Sequence, residues 1–256
     1  MNALLSPEML GLLAPAFFAA LAVAATHVPL GQEVLKRGII FIDLAIAQIA
    51  ALGVVCGSVF FHAENSSVSF ILALAFAMAG SGIFAWLEKK APKYQEAFIG
   101  CAFVISASII LLLLAGDPHG GEEVQGLLAG QILWVGWKQV ALTALAYAAI
   151  LFLWFRFKSK RQFLFYALFP LIITLSVQLV GVYLVFASLI IPALGAVHFP
   201  ENKRLATGYI IAFLSVAAGL ILSVTADLPA GPVLVCAYAV VSLIVSLCKN
   251  GMIKQS

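Results

Sequence analysis

Charged side chains are scarce in this sequence. Asp, Glu, Lys and Arg make up 10% of its 256 residues, whereas 64% are hydrophobic. Soluble domains carry about 25% charged residues and about 45–50% apolar ones, and the mean hydropathy is +1.12, so the chain is predicted to be an integral membrane protein. The net charge of +3 is small and forms neither a basic tail nor a basic face, which argues against a nucleic-acid partner.

Several other features are missing. No GxxxxGK[ST] phosphate loop occurs, so nothing indicates ATP hydrolysis by this chain. The first 35 residues contain no Lys or Arg, whereas a signal peptide needs a positively charged start, so the first apolar segment is expected to be a retained helix. No CxxC pair is present, and the cysteines are expected to be small buried hydrophobes. They are Cys56, Cys101, Cys236 and Cys248.

Long apolar runs make up most of the sequence. Runs of roughly 20 residues match a hydrocarbon core of ~30 Å in helical form and do not match the ~10-residue strands of a barrel. The fold class is therefore predicted to be an all-α polytopic membrane protein, with about eight spanning helices of which one is broken. The predicted spans are Met9–Val28, Gly38–Phe61, Val68–Leu87, Ala97–Ala115, Val140–Phe157, Phe163–Val197, Leu205–Ala226 and Gly231–Leu247.

The basic residues divide the connecting segments into two sets. Thirteen of the fourteen lie after the first, third and fifth spans, after the long run, and at the C-terminal end, and Lys138 is the exception. The other connections carry mainly acidic residues, so the positive-inside rule predicts an N-terminus outside and a C-terminus inside the cytoplasmic (inner) membrane. The outer connection after the fourth span is Gly-rich and leads to Trp134 and Trp137. It is predicted to contain a short interfacial helix.

This orientation constrains the run Phe163–Val197. Both of its flanks are cytoplasmic, so it must cross an even number of times, yet its 35 residues reach only about 50 Å as a helix. A break is required, and Gly181 is the predicted place. Such a break is found where protein or a water-filled path covers the freed backbone groups, as in transporters. Two tightly packed short helices without a pathway are the alternative.

Polar residues inside the spans are the candidate site. An ionisable group in such a run is costly, by at least ~2.5 kcal/mol, and indicates function. Asp43 is predicted either to line a pathway as a cation-attracting carboxylate or to be a buried carboxylate bonded to a neighbouring helix or to Arg37. Gln48 and Gln178 either line the same path or join helices.

Two histidines lie in the outer connections. His62 and His119 have acidic neighbours, a mixture of side chains that could gather a divalent metal cation at the mouth of a pathway. Ordinary solvated loops are the alternative, because no HxxxH or Cys-His spacing is present.

Three stretches together resemble one family, the permease subunits of the zinc and manganese type of ABC importer. QLVGVYLVFASLIIPALGA, residues 178–196, is similar to that family's VVGVLLVSALLIIPAATA segment. ADLPAGPVLV, residues 226–235, resembles its DLPSGP turn, and FIDLAIAQIAALG lies where the family has a helix reading roughly GDALSHALLPG. The resemblance covers most of the chain in the family's order.

The resemblance implies one transmembrane permease domain over residues 1–256, similar in fold to type II ABC importer permeases. It implies a homodimer that receives a divalent metal from an extracytoplasmic substrate-binding protein and works with cytoplasmic ABC ATPase subunits. The partner ATPase would use the ATP, and this chain would bind no cofactor and would not be an enzyme. The implied residues of the coupling segment to the ATPase are Pro192, Ala193, Gly195, His198, Glu201, Lys203 and Arg204.

The chain departs from the family in two places. The family usually carries Asp and His four residues apart on its second helix, but here Ala47 follows Asp43 at that spacing. Gln48 replaces the His, and its five-residue offset places it about 140° from Asp43 around a helix, so the two would not share an ion. The cytoplasmic link after the fifth span is also shortened to FKSKRQ.

The predicted function is therefore the permease of an ATP-driven importer for a divalent metal, zinc or manganese, working by alternating access. A stand-alone secondary transporter with Asp43 as its ion-coupling carboxylate is the alternative, although no inverted repeat is visible between the halves of the chain.

Overall fold

The computed structural model describes residues 7–61, 66–115, 120–130 and 132–253. Within these residues the chain forms long α-helices joined by short connections. The helices are α1 Pro7–Arg37, α2 Ile42–Phe61, α3 Ser66–Lys90, α4 Gln95–Leu114, α5 Gly120–Ala129, α6 Trp137–Arg156, α7 Arg161–Ala196, α8 Glu201–Ala226 and α9 Ala230–Ile253.

Eight of these helices are long and apolar enough to cross a membrane, which confirms the predicted polytopic all-α fold. The largest difference concerns α1. It was predicted to end at Val28 but continues through Pro29 to Arg37, because the basic residues Lys36 and Arg37 suit the negative end of a helix and extend it beyond the apolar stretch. The short helix predicted in the Gly-rich outer connection is α5, and Trp134 and Trp137 beyond it are exposed.

The cysteine prediction is wrong for three of the four residues. Cys101, Cys236 and Cys248 are exposed on the described surface and Cys56 is partly buried. In a membrane protein an apolar surface faces lipid tails, so a small hydrophobe can occupy the outside of a helix as readily as the core.

The predicted break in the long run is confirmed at Gly181. This residue has φ 77° and ψ 164°, a non-helical conformation inside α7 that only glycine adopts without strain. Gly130, with φ 68°, lies against it: a Cβ atom on either residue would overlap the main chain of the other. The break is therefore held by close backbone packing.

The described chain divides into two compact units. The first comprises Met1–Arg37, Ala129–Ala149 and Leu179–Ser256, and the second comprises Gly38–Leu128 and Ile150–Gln178. The prediction of a single permease domain over residues 1–256 stays a prediction.

In the first unit α8 packs against α1 and α9. Glycines allow these helices to approach closely, as in other membrane bundles: Gly208 lies against Val28, and Gly219 lies against Leu234. The second half of α7 is tied to α9 because Ser242 donates a hydrogen bond to the Ile191 carbonyl at 3.2 Å.

In the second unit α2 packs against α3 and α4. Gly53 lies directly on the Leu72 backbone of α3. Polar side chains add a link to the first half of α7, since Ser81 donates to the Tyr166 carbonyl at 2.6 Å and Gln95 donates to the Tyr166 hydroxyl at 2.9 Å. The start of α4 lies beside the start of α2, because Glu96 accepts a hydrogen bond from the Phe41 N–H at 3.2 Å.

Candidate functional site

Asp43 lies in the first turn of α2 and is completely buried. The helix begins here because the N–H groups of Ile42 and Ala45 bond back to the carbonyls of Ile39 and Phe41. Neither Asp43 carboxylate oxygen has a hydrogen-bond partner among the described residues. The N–H groups of Asp43 itself and of Leu44 are near the carboxylate but do not meet hydrogen-bond geometry. The predicted alternative of a carboxylate hydrogen-bonded to Arg37 or to a neighbouring helix therefore finds no support.

Glu96 interacts electrostatically with Asp43. Pro92 and Tyr94 bound a short 3₁₀ turn, and α4 begins directly after it at Gln95, so Glu96 is in the first turn of α4. Its Oε1 accepts a hydrogen bond from the Phe41 N–H at 3.2 Å, whereas its Oε2 is buried without a partner. Two carboxylates from two helices thus lie near the start of α2.

The sequence analysis missed Glu96. Its acidic side chain beside an apolar span was a usable signal, because an ionisable group in or next to a membrane helix indicates function, as at Asp43. Glu96 directly precedes the predicted span Ala97–Ala115, and at that position an acidic residue is also typical of a solvated connection.

The two glutamines do not join this pair in a single cluster. Gln48 is buried on α2, 5% exposed, and its five-residue offset from Asp43 turns it by about 140° around the helix. Gln178 is exposed near the end of the first half of α7. Their roles in a pathway stay predictions.

No group of three or more His, Cys, Asp or Glu side chains that could hold a metal is found among the described residues. His62 and His119 lie outside those residues, so their predicted role at the mouth of a pathway also stays a prediction.

The predicted coupling segment is more helical than expected. The bent connection expected after Pro192 begins only beyond Ala196, because α7 continues to that residue and α8 starts at Glu201. Pro192, Ala193 and Gly195 are buried, and Gly195 packs on the Ser242 side chain.

The rest of the coupling segment is accessible. His198, Glu201 and Lys203 are exposed, while Arg204 is partly buried and donates from Nε to the Phe199 carbonyl at 2.9 Å. Glu201 and Arg204 also border a groove of about 380 Å³, which continues along Gln32 and Lys36 of α1.

A second buried polar contact lies in the first unit. His27 on α1 is completely buried, and its Nδ1 lies 2.7 Å from Ser188 Oγ in the second half of α7. The Ser188 hydroxyl donates to the Val185 carbonyl at 3.0 Å. His27 Nδ1 and the Ser188 hydroxyl therefore form a buried hydrogen bond between α1 and α7. This contact joins residues far apart in the sequence and holds the half of α7 that leads to the coupling segment.

The chain is 24% identical over 251 residues to the high-affinity zinc uptake system membrane protein ZnuB of Haemophilus influenzae. The alignment covers 89% of this chain and 94% of that protein. The chain is also 27% identical over 244 residues to a Thermotoga maritima protein named "Probable metal transport system membrane protein", with 86% and 84% covered.

A solved structure shares the fold. A chain of PsaBC from Streptococcus pneumoniae, in complex with Fab, superposes with a TM-score of 0.73 at 21% identity, over 95% of this chain and 93% of that one. The sequence also matches the ABC 3 transport family over residues 9–162 and 159–249, which together include the second compact unit and most of the first. This chain belongs to the ABC 3 transport family of membrane permeases.

Proposed function

We propose that this chain is the permease subunit of an ATP-driven ABC importer for a divalent metal cation, zinc or manganese, and that it works as a homodimer. The observation that carries the proposal is the Asp43 carboxylate, completely buried in a membrane helix with no hydrogen-bond partner among the described residues. Membership of the ABC 3 transport family and the zinc and metal transport names of its relatives support the class of cargo.

Asp43 is the proposed pathway carboxylate. An unpaired carboxylate in surroundings of low polarity is costly to keep ionised, and a passing divalent cation would offset that cost. Gln48 and Gln178 are the other proposed pathway residues. Gln178 is exposed on the described surface, where the second copy of a homodimer would cover it.

The coupling segment is proposed to transmit the ATPase cycle. When the partner ATPase subunits bind ATP and close, they would move the exposed residues His198, Glu201 and Lys203. The buried residues Pro192, Ala193 and Gly195 would pass this motion to α7, whose second half is tied to α1 and α9 by His27 and Ser242. ATP is used by the ATPase, and this chain binds no cofactor and catalyses no reaction.

The proposed location is the cytoplasmic membrane, with the N-terminus outside and the C-terminus inside. Basic residues support this orientation, because they lie in the last turns of α1, α3 and α6, the ends that it places in the cytoplasm. An extracytoplasmic substrate-binding protein would then deliver the metal at the opposite face.

Reconstitution tests the proposal. The chain would be purified with the proposed ATPase and binding-protein subunits and placed in liposomes. Uptake of radioactive Mn²⁺ and Zn²⁺ would then be measured with and without ATP. We expect ATP-dependent uptake that is lost in Asp43→Asn and kept in Glu88→Gln, a change of a carboxylate on α3. Uptake driven by an ion gradient without any ATPase would contradict the importer and favour a secondary transporter.

A further inference from the structure

The pairing of Asp43 with Glu96 goes beyond what a pathway carboxylate alone requires. Each residue belongs to the first turn of a different helix, and both lie in the same compact unit. Three of their four carboxylate oxygens, both of Asp43 and Oε2 of Glu96, are buried and have no hydrogen-bond partner among the described residues. Buried polar atoms in proteins are nearly always satisfied, so these three oxygens indicate something that the protein chain itself does not supply.

Capping of α2 accounts for only part of this arrangement. Glu96 Oε1 accepts the Phe41 N–H, and carboxylates are favourable near the positive end of a helix. One oxygen suffices for that contact, however, and capping needs neither the burial of Asp43 nor a second carboxylate beside it. Like charges brought together away from water repel each other, so the pair is stabilised either by a proton on one carboxylate or by a cation close to both.

We propose that Asp43 and Glu96 form a two-carboxylate site that binds a hard divalent cation of the Mn²⁺ type. Because Gln48 does not share the face of Asp43, the second ligand comes from α4 and not from α2. The inference rests on the proposed function for the view that this cation is the transported one, but binding itself requires neither ATP nor a partner.

The donor set determines the class of cation. Carboxylate oxygens and water suit manganese, magnesium and calcium, whereas sites selective for zinc or softer metals use His and Cys. No third His, Cys, Asp or Glu accompanies the pair in the part of the chain that the structure describes. The remaining coordination positions would be filled by water, which gives a weak site that a transported ion can leave.

The test is a direct binding measurement on the purified permease in detergent, without ATPase, ATP or binding protein. Free Mn²⁺ gives a six-line electron paramagnetic resonance signal that disappears on binding, and this signal would be titrated for the wild type, Asp43→Asn, Glu96→Gln and the double variant. Both amide substitutions keep the shape of the side chain and an acceptor oxygen, so Glu96→Gln preserves the hydrogen bond to Phe41. Glu88→Gln on α3 is the matched control.

We expect the wild type and Glu88→Gln to bind Mn²⁺ with the same Kd. Each single variant should raise that Kd at least tenfold, which corresponds to about 1.4 kcal/mol, and the double variant should show no saturable binding. Gel filtration establishes that each variant is folded, and if Asp43→Asn aggregates, Glu96→Gln alone decides the outcome.

Two results would overturn the site: no Mn²⁺ binding by the wild type at millimolar concentrations, or equal binding by the wild type and the double variant. A failure of the importer proposal looks different. It would remove ATP-dependent uptake in liposomes while leaving the Mn²⁺ titration unchanged.

Discussion

Gly130 and Gly181 lie backbone against backbone, so that a Cβ atom on either one would overlap the main chain of the other. Both have positive φ angles, 68° and 77°. Gly231 at the start of α9 adds to the same junction, because a Cβ there would overlap the Ala129 carbonyl. The break in α7 therefore depends on three small residues from three separate parts of the chain.

Substituting Gly181 by Ala should destabilise the protein strongly. The change adds about 1–3 kcal/mol of strain, because this backbone conformation is essentially restricted to glycine, and it also creates a steric overlap with Gly130. For a chain of this size about 2 kcal/mol corresponds to roughly 5 °C in Tm. Thermal unfolding in detergent would measure the effect. Gly82→Ala in α3 is the control, because a Cβ at Gly82 meets no atom within 4 Å, and an equal Tm for both variants would contradict the close packing at the break.

Ser188→Ala should destabilise the first unit, because it removes the hydroxyl that bonds to the buried His27 Nδ1. The expected cost is about 1–3 kcal/mol for an unsatisfied buried donor or acceptor. Ser58→Ala is a matched control, since the Ser58 hydroxyl bonds only within its own helix, to the Val55 carbonyl. His27→Asn keeps a hydrogen-bonding group near the Nδ1 position and should lose less stability than His27→Ala. Similar melting curves for Ser188→Ala and Ser58→Ala would show that the contact between α1 and α7 contributes little.

Tyr166→Phe should loosen the second unit, because Gln95 loses one of its two acceptors and keeps only the Phe84 carbonyl at 3.2 Å. A loss of about 0.5–1.5 kcal/mol is expected, the usual net value of a hydrogen bond. Denaturant unfolding followed by fluorescence would measure it. Tyr94→Phe is the control, because Tyr94 is 58% exposed. A larger effect for Tyr94→Phe would contradict the assignment.

Lys203→Glu should weaken capture of the proposed ATPase partner. Lys203 is exposed beside the short connection between α7 and α8, and reversing its charge would repel an acidic partner surface. Co-purification of the ATPase with the tagged permease would measure the loss. Lys138→Glu is the control: this lysine is equally exposed but lies at the start of α6, the end proposed to face outward. Undiminished capture by Lys203→Glu would remove this residue from the coupling segment.

Much of the architecture could be predicted from sequence because the membrane imposes simple rules. Every backbone polar group must be satisfied within the bilayer, so apolar runs of helical length identify the spans, and the split distribution of basic residues predicts their direction. The break at Gly181 followed from the same reasoning, since a run of that length with both flanks on one side cannot be a single straight helix.

The sequence pattern could not predict which side chains from different helices lie close together. Nothing near Asp43 in the sequence pointed to Glu96, because the contact depends on the packing of α2 against α4 and on the 3₁₀ turn that begins at Pro92. His27 likewise contacts Ser188, although 161 positions separate the two residues in the sequence.

The sequence by itself determined that this protein spans a membrane, how many times it can do so, and that Asp43 is a costly residue kept inside a span. Only the tertiary structure decided that Asp43 is unpartnered, that Glu96 stands beside it, and that Gly130 holds the break in α7. The physical reason is that hydropathy and charge act along the chain, one segment at a time, whereas hydrogen bonds, steric overlap and the pairing of buried charges depend on distances between segments.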